Sequence, residues 1–288
     1  MHVIINLNKP SGITSRQAVT RVQRLLGAKK AGHAGTLDPQ ATGVLLVCLN
    51  EATKAARFLT DMDKQYKARI KLGERTDTYD AEGRVIETKD ISFLSEADLF
   101  EAVHAFKGTI KQKPPMYSAV KIDGKTLYKL ARKGIEIDRP DRTVHVYDIR
   151  ITSIDIPYFD LTISCSKGTY IRSLCDDIGM RLGTGAHMAR LERTAVGLFH
   201  LRDSFSFDDL ADDQKLFYSV DQALAKLPEV ELADVDYQKA RNGMKVAVGS
   251  CNLHNGAFVR LKDPEGTLFA IGRVESDIID IERVLHLK

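Results

Sequence analysis

The chain has no tryptophan and no apolar run approaching eighteen residues, so no membrane-spanning helix is expected. Its four cysteines (Cys48, Cys165, Cys175, Cys251) are far apart and form no CxxC pair, which argues against a disulfide scaffold. Free thiols in a reducing cytoplasm are the expectation. The eight histidines show no HxxxH or Cys/His ligand spacing, so no metal site is expected. The opening MHVIINLNKP has no basic leader followed by a long apolar stretch, and no secretion signal is read there. Internal repeats and low-complexity tracts are absent. What remains, at 288 residues and 43% hydrophobic, is enough for one large domain, or one with a small appendix.

Charge is unevenly spread behind a net +3. Residues 1–60 carry eight Lys/Arg against two acids, and residues 107–139 carry nine against three. Residues 77–106 reverse this with two basic and eight acidic residues, and the last sixty hold eight basic and ten acidic. Such segregation suits a basic face for a polyanion; an ordinary solvated surface is the alternative.

Along the chain, VIINL (3–7) reads as a strand and KPSG (9–12) as a turn. Ser15 is placed to cap a helix with Ala18, Val22, Leu25 and Leu26 on one face, ended by Gly27. VLLVCL (44–49) is a continuous apolar run, as expected of a strand buried on both faces. Residues 51–59 suggest a short helix, 65–73 an alternating strand, and RTDTYDAEG (75–83) turns. Ser95 caps a helix through Phe106. DLTISCSKG (160–168) alternates as a strand, and Thr169 is placed to cap a helix carrying Ile171, Leu174, Cys175, Ile178 and Leu182. Strands and helices mix without a βαβ repeat, which predicts an α+β fold with a largely antiparallel sheet. From about residue 229 short strands such as AFVRL (257–261) and LFAIGRV (268–274) dominate, and a small β-rich domain is expected over 229–288 after a catalytic domain over 1–228. Residues 111–140 are basic, interleaved with Tyr117 and Tyr128 and bounded by prolines. They read as an excursion that touches a ligand.

The chemistry concentrates in GHAGTLDP (32–39). Glycines allow tight bends and close approach of a ligand, and Pro39 pushes Asp38 toward an extended backbone. Asp38 either closes its own turn by bonding a nearby amide or, in this positive segment with His33 close by, stays ionised and acts as a nucleophile. Arg172 lies in the first turn of its helix, where the helix dipole opposes a cation. It either pairs with Asp176 one turn on or serves a distant carboxylate.

GHAGTLDPQATGVLLV with upstream NKPSGITS resembles the catalytic signature of the TruB family of tRNA pseudouridine synthases. The resemblance continues in order through DKQYKARIKLGERTDTYDAEG, PPMYSAVKIDGKTLYKLARKG, SKGTYIRSLCDDIG and GAHMARLERTAVG, over about the first two hundred residues. It implies a catalytic domain of pseudouridine-synthase type followed by a PUA-like RNA-binding domain. It also implies isomerisation of uridine 55 in the T-loop of tRNA, with no cofactor and no metal. By the same resemblance Asp38 is the nucleophile and Arg172 its ion-pair partner. Tyr66 stacks on the flipped base and serves late proton transfer, while His33, Tyr170 and Leu191 hold the nucleotide. The 111–140 segment, through Lys121, Lys125 and Lys129, becomes a clamp on the T-stem. Taken without the resemblance, Tyr66 and Leu191 read as core residues. A cytoplasmic monomer is expected. Two other functions compete: a non-catalytic tRNA-binding or folding chaperone on the same scaffold, and a carboxylate-dependent hydrolase. The hydrolase needs a second acid to protonate its leaving group, and no candidate for that acid is found in these blocks.

Overall fold

The computed structural model describes every residue except 119, 123, 212–216, 248–252 and 288, and all side chains among these except those of residues 121 and 211. Strand β1 (Val3–Lys9) leads to α1 (Ser15–Leu25) and a hairpin of β2 (Ala31–Ala34) and β3 (Thr42–Leu49). A 3-10 turn and α2 (Ala56–Thr60) precede β4 (Lys64–Leu72), then a β5–β6 ribbon (Glu74–Thr76, Val85–Thr88) and α3 (Glu96–His104). Next come β7 (Gly108–Gln112), the small pair β8 (Lys121–Ile122) and β9 (Lys125–Thr126), and α4 (Leu127–Ala131). The long strands β10 (Arg142–Asp155) and β11 (Tyr158–Cys165), α5 (Ile171–Arg181) and β12 (Ala186–Val196) complete the centre. The chain continues through β13 (Phe199–His200), β14 (Tyr218–Ser219) and α6 (Val220–Ala223). It ends in β15 (Glu229–Glu231), α7 (Asp234–Arg241), β16 (Val246–Ala247), β17 (Phe258–Lys262), β18 (Leu268–Glu275) and β19 (Ile278–Val284).

The main sheet runs β14-β1-β3-β12-β4-β11-β10-β7, with β2 beside β3 and β13 beside β12. Its pairings are antiparallel except β3 with β12, which meet in parallel over only Thr42–Gly43 against Glu192–Arg193. The expected α+β architecture with a largely antiparallel sheet is therefore present. The two-faced burial read from VLLVCL also holds. Val44, Leu46 and Cys48 pack with Phe58 and Phe199, while Leu45, Val47 and Leu49 pack with Ala18 and Val22 of α1. The second sheet, β15-β17-β18-β19-β16, sends Leu268 and Ile271 into the core that holds Val44 and Phe58. Arg260 bridges the two sheets' neighbourhoods by pairing with Asp221 of α6 and Glu229 of β15.

Three local expectations change. Thr14, not Ser15, caps α1, in a capping box with Gln17, because the Ser15 hydroxyl is drawn inward to the backbone of Leu37. Thr169 does not cap α5: its hydroxyl turns back to the Ser166 carbonyl, and Tyr170 takes the cap position without a side-chain bond. The first half of GHAGTLDP is strand rather than loop, since Ala31–Ala34 pair with Leu46–Leu49. The turn at 35–41 is thus the tip of a hairpin rooted in the main sheet.

At the short parallel junction Gly43 has φ +97, and a Cβ there would stand 2.3 Å from the Arg193 carbonyl oxygen. That obstacle is backbone and cannot rotate away. Gly43→Ala is expected to destabilise the fold by about 2–4 kcal/mol, seen as a lower denaturant midpoint at unchanged slope. An unchanged midpoint would show that β3 and β12 separate freely.

Candidate active site

Asp38 occupies the hairpin tip, and the NKPSGITS segment grips the residues on either side of it. The Ser15 hydroxyl accepts the Leu37 N–H at 2.8 Å and donates to the Leu37 carbonyl at 2.9 Å. The fully buried Lys9 ammonium donates to the carbonyls of Pro10 and Ile13, each at 2.8 Å, and of Pro39 at 3.0 Å. The Gly12 N–H donates to the same Pro39 carbonyl at 2.9 Å. Burial pulls the Lys9 pKa down to about 8, against the pull of Asp38 in the other direction. From the opposite side Arg193 donates to the carbonyls of Gly35 (3.0 Å), Thr36 (3.4 Å) and Val44 (2.7 Å). The loop is held by cations bonded to its backbone, so it is rigid although glycine-rich.

Helix α5 brings Arg172 to this loop. Gln112 fixes its start by accepting the Tyr170 N–H at 2.7 Å and donating to the Tyr170 carbonyl at 2.9 Å. The Arg172 Nε lies 3.1 Å from Oδ2 of Asp38 and Nη2 lies 3.3 Å from Oδ1, a two-point pairing. Nη1 reaches Oδ2 of Asp80 at 3.1 Å and the Thr78 carbonyl at 3.4 Å, and Nη2 also donates to the Tyr117 carbonyl at 2.6 Å. Four of these contacts are hydrogen bonds from the two Nη groups, and the Nε–Oδ2 approach adds an ion-pair contact. Asp176, the alternative partner, instead accepts from Arg75 at 2.6 and 2.9 Å. Of the two sequence-level alternatives for Arg172, the distant carboxylate is the one realised.

Asp38 keeps 37% of its side chain exposed, whereas Arg172 keeps 7%. The carboxylate's open side faces a cleft of about 1120 Å³ whose walls include Ala68, Asp80, Met188 and Leu191. Burial raises the Asp38 pKa above the usual aspartate value. Arg172 and Lys9 oppose that rise, while Asp80 and Glu82 add to it. A net positive setting alone, as read from sequence, would have lowered it; loss of hydration outweighs the nearby cations.

The other expected site residues are distributed around this centre. Leu191 lines the cleft with Asp38. Tyr66 is buried on β4 directly across from Arg193 of β12, within the core, and borders a groove that adjoins the cleft, the two sharing Lys67, Thr162 and Glu192. Burial raises its pKa, and interaction with Arg193 opposes this. His33 sits on β2 across from Val47; its Nδ1 is buried without a hydrogen-bond partner among the described residues, and burial and then Arg193 lower its pKa. Tyr170 is half-buried at the start of α5. Lys125 and Lys129 line a concavity of about 710 Å³ with Tyr128, Arg132 and Lys133. The side chain of Lys121 lies outside the described residues. The carbonyl that Tyr117 gives to Arg172, together with the Tyr117–Tyr128 ring contact at 6.2 Å, links this basic segment to the arginine that pairs with Asp38. Among the described residues no group of three or more His, Cys, Asp or Glu is arranged to hold a metal.

Sequence reasoning missed Lys9, Ser15 as a loop clamp, Arg193 and Asp80. Asp80 was visible in DTYDAEG as one of several turn acids. Nothing in the sequence singled it out, because its role depends on Arg172, ninety-two residues away.

A raised folded-state pKa for Asp38 means the folded chain binds more protons than the unfolded chain between the two pKa values. Its ionisation therefore subtracts from stability as pH rises through that window. Asp38→Asn removes that effect and leaves Arg172 bonded to Asp80 and two carbonyls. The variant is expected to melt at or above the wild-type temperature at pH 7, with the gain fading below the ordinary carboxylate range. Thermal melts at pH 7 and pH 3 check this; a clear drop at pH 7 would show that the ion pair is net stabilising.

Two family models match residues 23–230. One, described as TruB family pseudouridylate synthase (N terminal domain), matches residues 23–171. The other, described as tRNA pseudouridylate synthase B C-terminal domain, matches residues 172–230. A relative from Clostridium tetani named tRNA pseudouridine synthase B is 44% identical over 248 residues, covering 85% of this chain and 86% of the relative. One of the same name from Mannheimia succiniciproducens is 39% identical, covering 100% and 97%. Among solved structures, a Cbf5-Nop10-Gar1 complex contains a chain that superposes with TM-score 0.78 at 28% identity, covering 98% of this chain and 84% of that one. A site built on Asp38 and Arg172, within sequence blocks that match in order and an architecture that superposes over nearly its whole length, leads to one conclusion: the chain belongs to the TruB family of pseudouridine synthases.

Proposed function

We propose that the protein isomerises uridine 55 in the T-loop of tRNA to pseudouridine, with Asp38 as the nucleophile. Pseudouridine-synthase chemistry follows from the family, and tRNA as substrate from the name the relatives carry. The observation that carries the nucleophile assignment is a carboxylate pinned in two-point contact to a buried arginine and open toward a cleft. Arg172 aims Asp38 and limits the rise in its pKa, so that enough carboxylate is present at neutral pH.

The reaction breaks the bond from C1′ to N1, rotates the uracil and joins C1′ to C5; C5 loses its proton and N1 gains one. No electron is transferred to or from an outside partner, and the proposed site uses no cofactor or metal. The Asp38 carboxylate attacks either C6 of the base or C1′ of the sugar. Lifting the base from its stack costs about a few kcal/mol, and contact with an aromatic such as Tyr66 returns roughly 1–3 kcal/mol. Leu191 supplies the apolar wall beside Asp38, with His33 and Tyr170 flanking the nucleotide. The segment 111–140 grips the T-stem, and the sheet within 229–288 serves as a PUA-like RNA-binding domain next to a catalytic domain over 1–228. The protein acts as a cytoplasmic monomer. Asp80, a second carboxylate on the cleft wall, accepts from Arg172, the Thr78 hydroxyl and the Glu82 N–H, so it is held as a partner of Arg172.

Purified protein with a uridine-containing T-stem-loop tests this reading: pseudouridine-specific derivatisation should appear at one site with RNA mass unchanged. Release of free uracil would overturn it. Asp38→Asn should bind this RNA within a few-fold of wild type yet form no product in a single turnover. Arg172→Ala should slow the chemical step by on the order of 10²–10³-fold and move the acid limb of the rate to higher pH. A wild-type rate in either variant contradicts the assignment.

Replacing Lys125 and Lys129 by Ala should weaken binding and flatten its salt dependence by about 0.7–0.9 in log–log slope per lost phosphate contact. Titrations at several salt concentrations check this. An unchanged slope would mean that these lysines only solvate the surface.

A further inference from the structure

Arg193 is 1% exposed, and among the described residues it makes no ion pair with any carboxylate. Its three carbonyl bonds engage three of its five N–H groups. Each guanidinium nitrogen thus has one carbonyl partner, and none is a buried polar atom left alone. Arg193 also interacts with the Tyr66 hydroxyl, from the directly opposed position on β12. A buried cation compensated only by carbonyl dipoles and a phenol is costly unless negative charge arises beside it.

We propose that Arg193 is a positioning residue for proton transfer: it stabilises Tyr66 while that hydroxyl moves the proton that pseudouridine formation must shift from C5 to N1. The inference rests on the pseudouridine-forming reading of the site. Once C1′ is bonded to C5, the ring is a tautomer with hydrogen on C5 and none on N1. The Tyr66 O–H proton goes to N1, leaving phenolate oxygen against the guanidinium. That oxygen then takes the C5 proton as the C5–H electrons return to the ring. One proton has left C5, one has reached N1, and Tyr66 ends as it began. The balance is the same whether Asp38 first attacked C6 or C1′.

The surroundings suit a transient phenolate. Of the groups near Tyr66, Asp38 from the hairpin tip and Cys165 from β11 disfavour negative charge there, and burial disfavours it most; Arg193 opposes all three. The groups that feel Arg193 on its other sides are Lys9 of β1, His33 of β2 and Lys64 of β4, whose charged forms it disfavours. The phenol is therefore neutral at rest, and Arg193 is the nearby cation available to stabilise the charge when it forms.

Single-turnover rates on a T-stem-loop with its target uridine deuterated at C5 test this in Arg193→Gln and Arg193→Lys. The glutamine variant should lose on the order of 10²-fold at pH 7, show a larger C5 isotope effect than wild type, and recover rate as pH rises. Lysine, which keeps the charge, should lose less and raise the isotope effect less. Equal losses in both variants with a wild-type isotope effect would overturn the proposal and leave Arg193 as a clamp on the loop carbonyls. If the glutamine variant does not melt cooperatively, the lysine variant decides: a raised isotope effect supports the proposal and an unchanged one overturns it. Failure of the underlying reading looks different, because wild-type protein would then form no pseudouridine at all.

Discussion

A guanidinium can donate five hydrogen bonds, and at Arg172 five acceptors converge: both oxygens of Asp38, one of Asp80, and the carbonyls of Thr78 and Tyr117. These acceptors come from the β2–β3 hairpin tip, the turn before β6 and the basic segment 111–140. The arginine therefore fixes the relative placement of three segments that sequence leaves far apart. Burying such a cation is tolerable because both Nη groups are fully hydrogen-bonded and two carboxylates face it. Removing the Asp38 carboxylate would leave the bonds to Asp80, Thr78 and Tyr117 in place.

The same device recurs around the catalytic loop. Lys9 and Arg193 are buried cations whose partners are backbone carbonyls, and each bonds a residue flanking Asp38 or the strand beneath it. Carbonyl partners hold the backbone without neutralising the cation. The loop is thereby held while its surroundings keep their positive charge, which Asp38 faces. Even so, the Asp38 carboxyl titrates above its usual range because burial removes water from it. Rigidity and high pKa have one origin, the packing of the hairpin tip between β1 and β12.

Much of this was legible in the sequence because local patterns suffice for local structure. The apolar run 44–49, the alternation at 65–72 and the glycine-bracketed aspartate each point to what the structure contains. The pairing of Arg172 was foreshadowed by its awkward place in a first helical turn. Failures have different causes. Ser15 and Thr169 look like caps, but the Ser15 hydroxyl finds its partner through tertiary contact at Leu37, and the Thr169 hydroxyl turns back locally to the Ser166 carbonyl. Asp80, Lys9 and Arg193 carry no local signal, since their roles depend on residues that the sheet brings to them. The rise in the Asp38 pKa was not legible either, because charge counts along a chain say nothing about lost hydration.

The central claim is that Arg172 holds Asp38 in place while burial holds its carboxyl high. Titrating Asp38 directly by carbon NMR, with ¹³C-labelled aspartate and Asp38→Asn for assignment, tests both parts without RNA. The account predicts a pKa above that of ordinary aspartates in wild type, and a further rise in Arg172→Ala. A normal or depressed value in wild type, or no change when the arginine is removed, would contradict it.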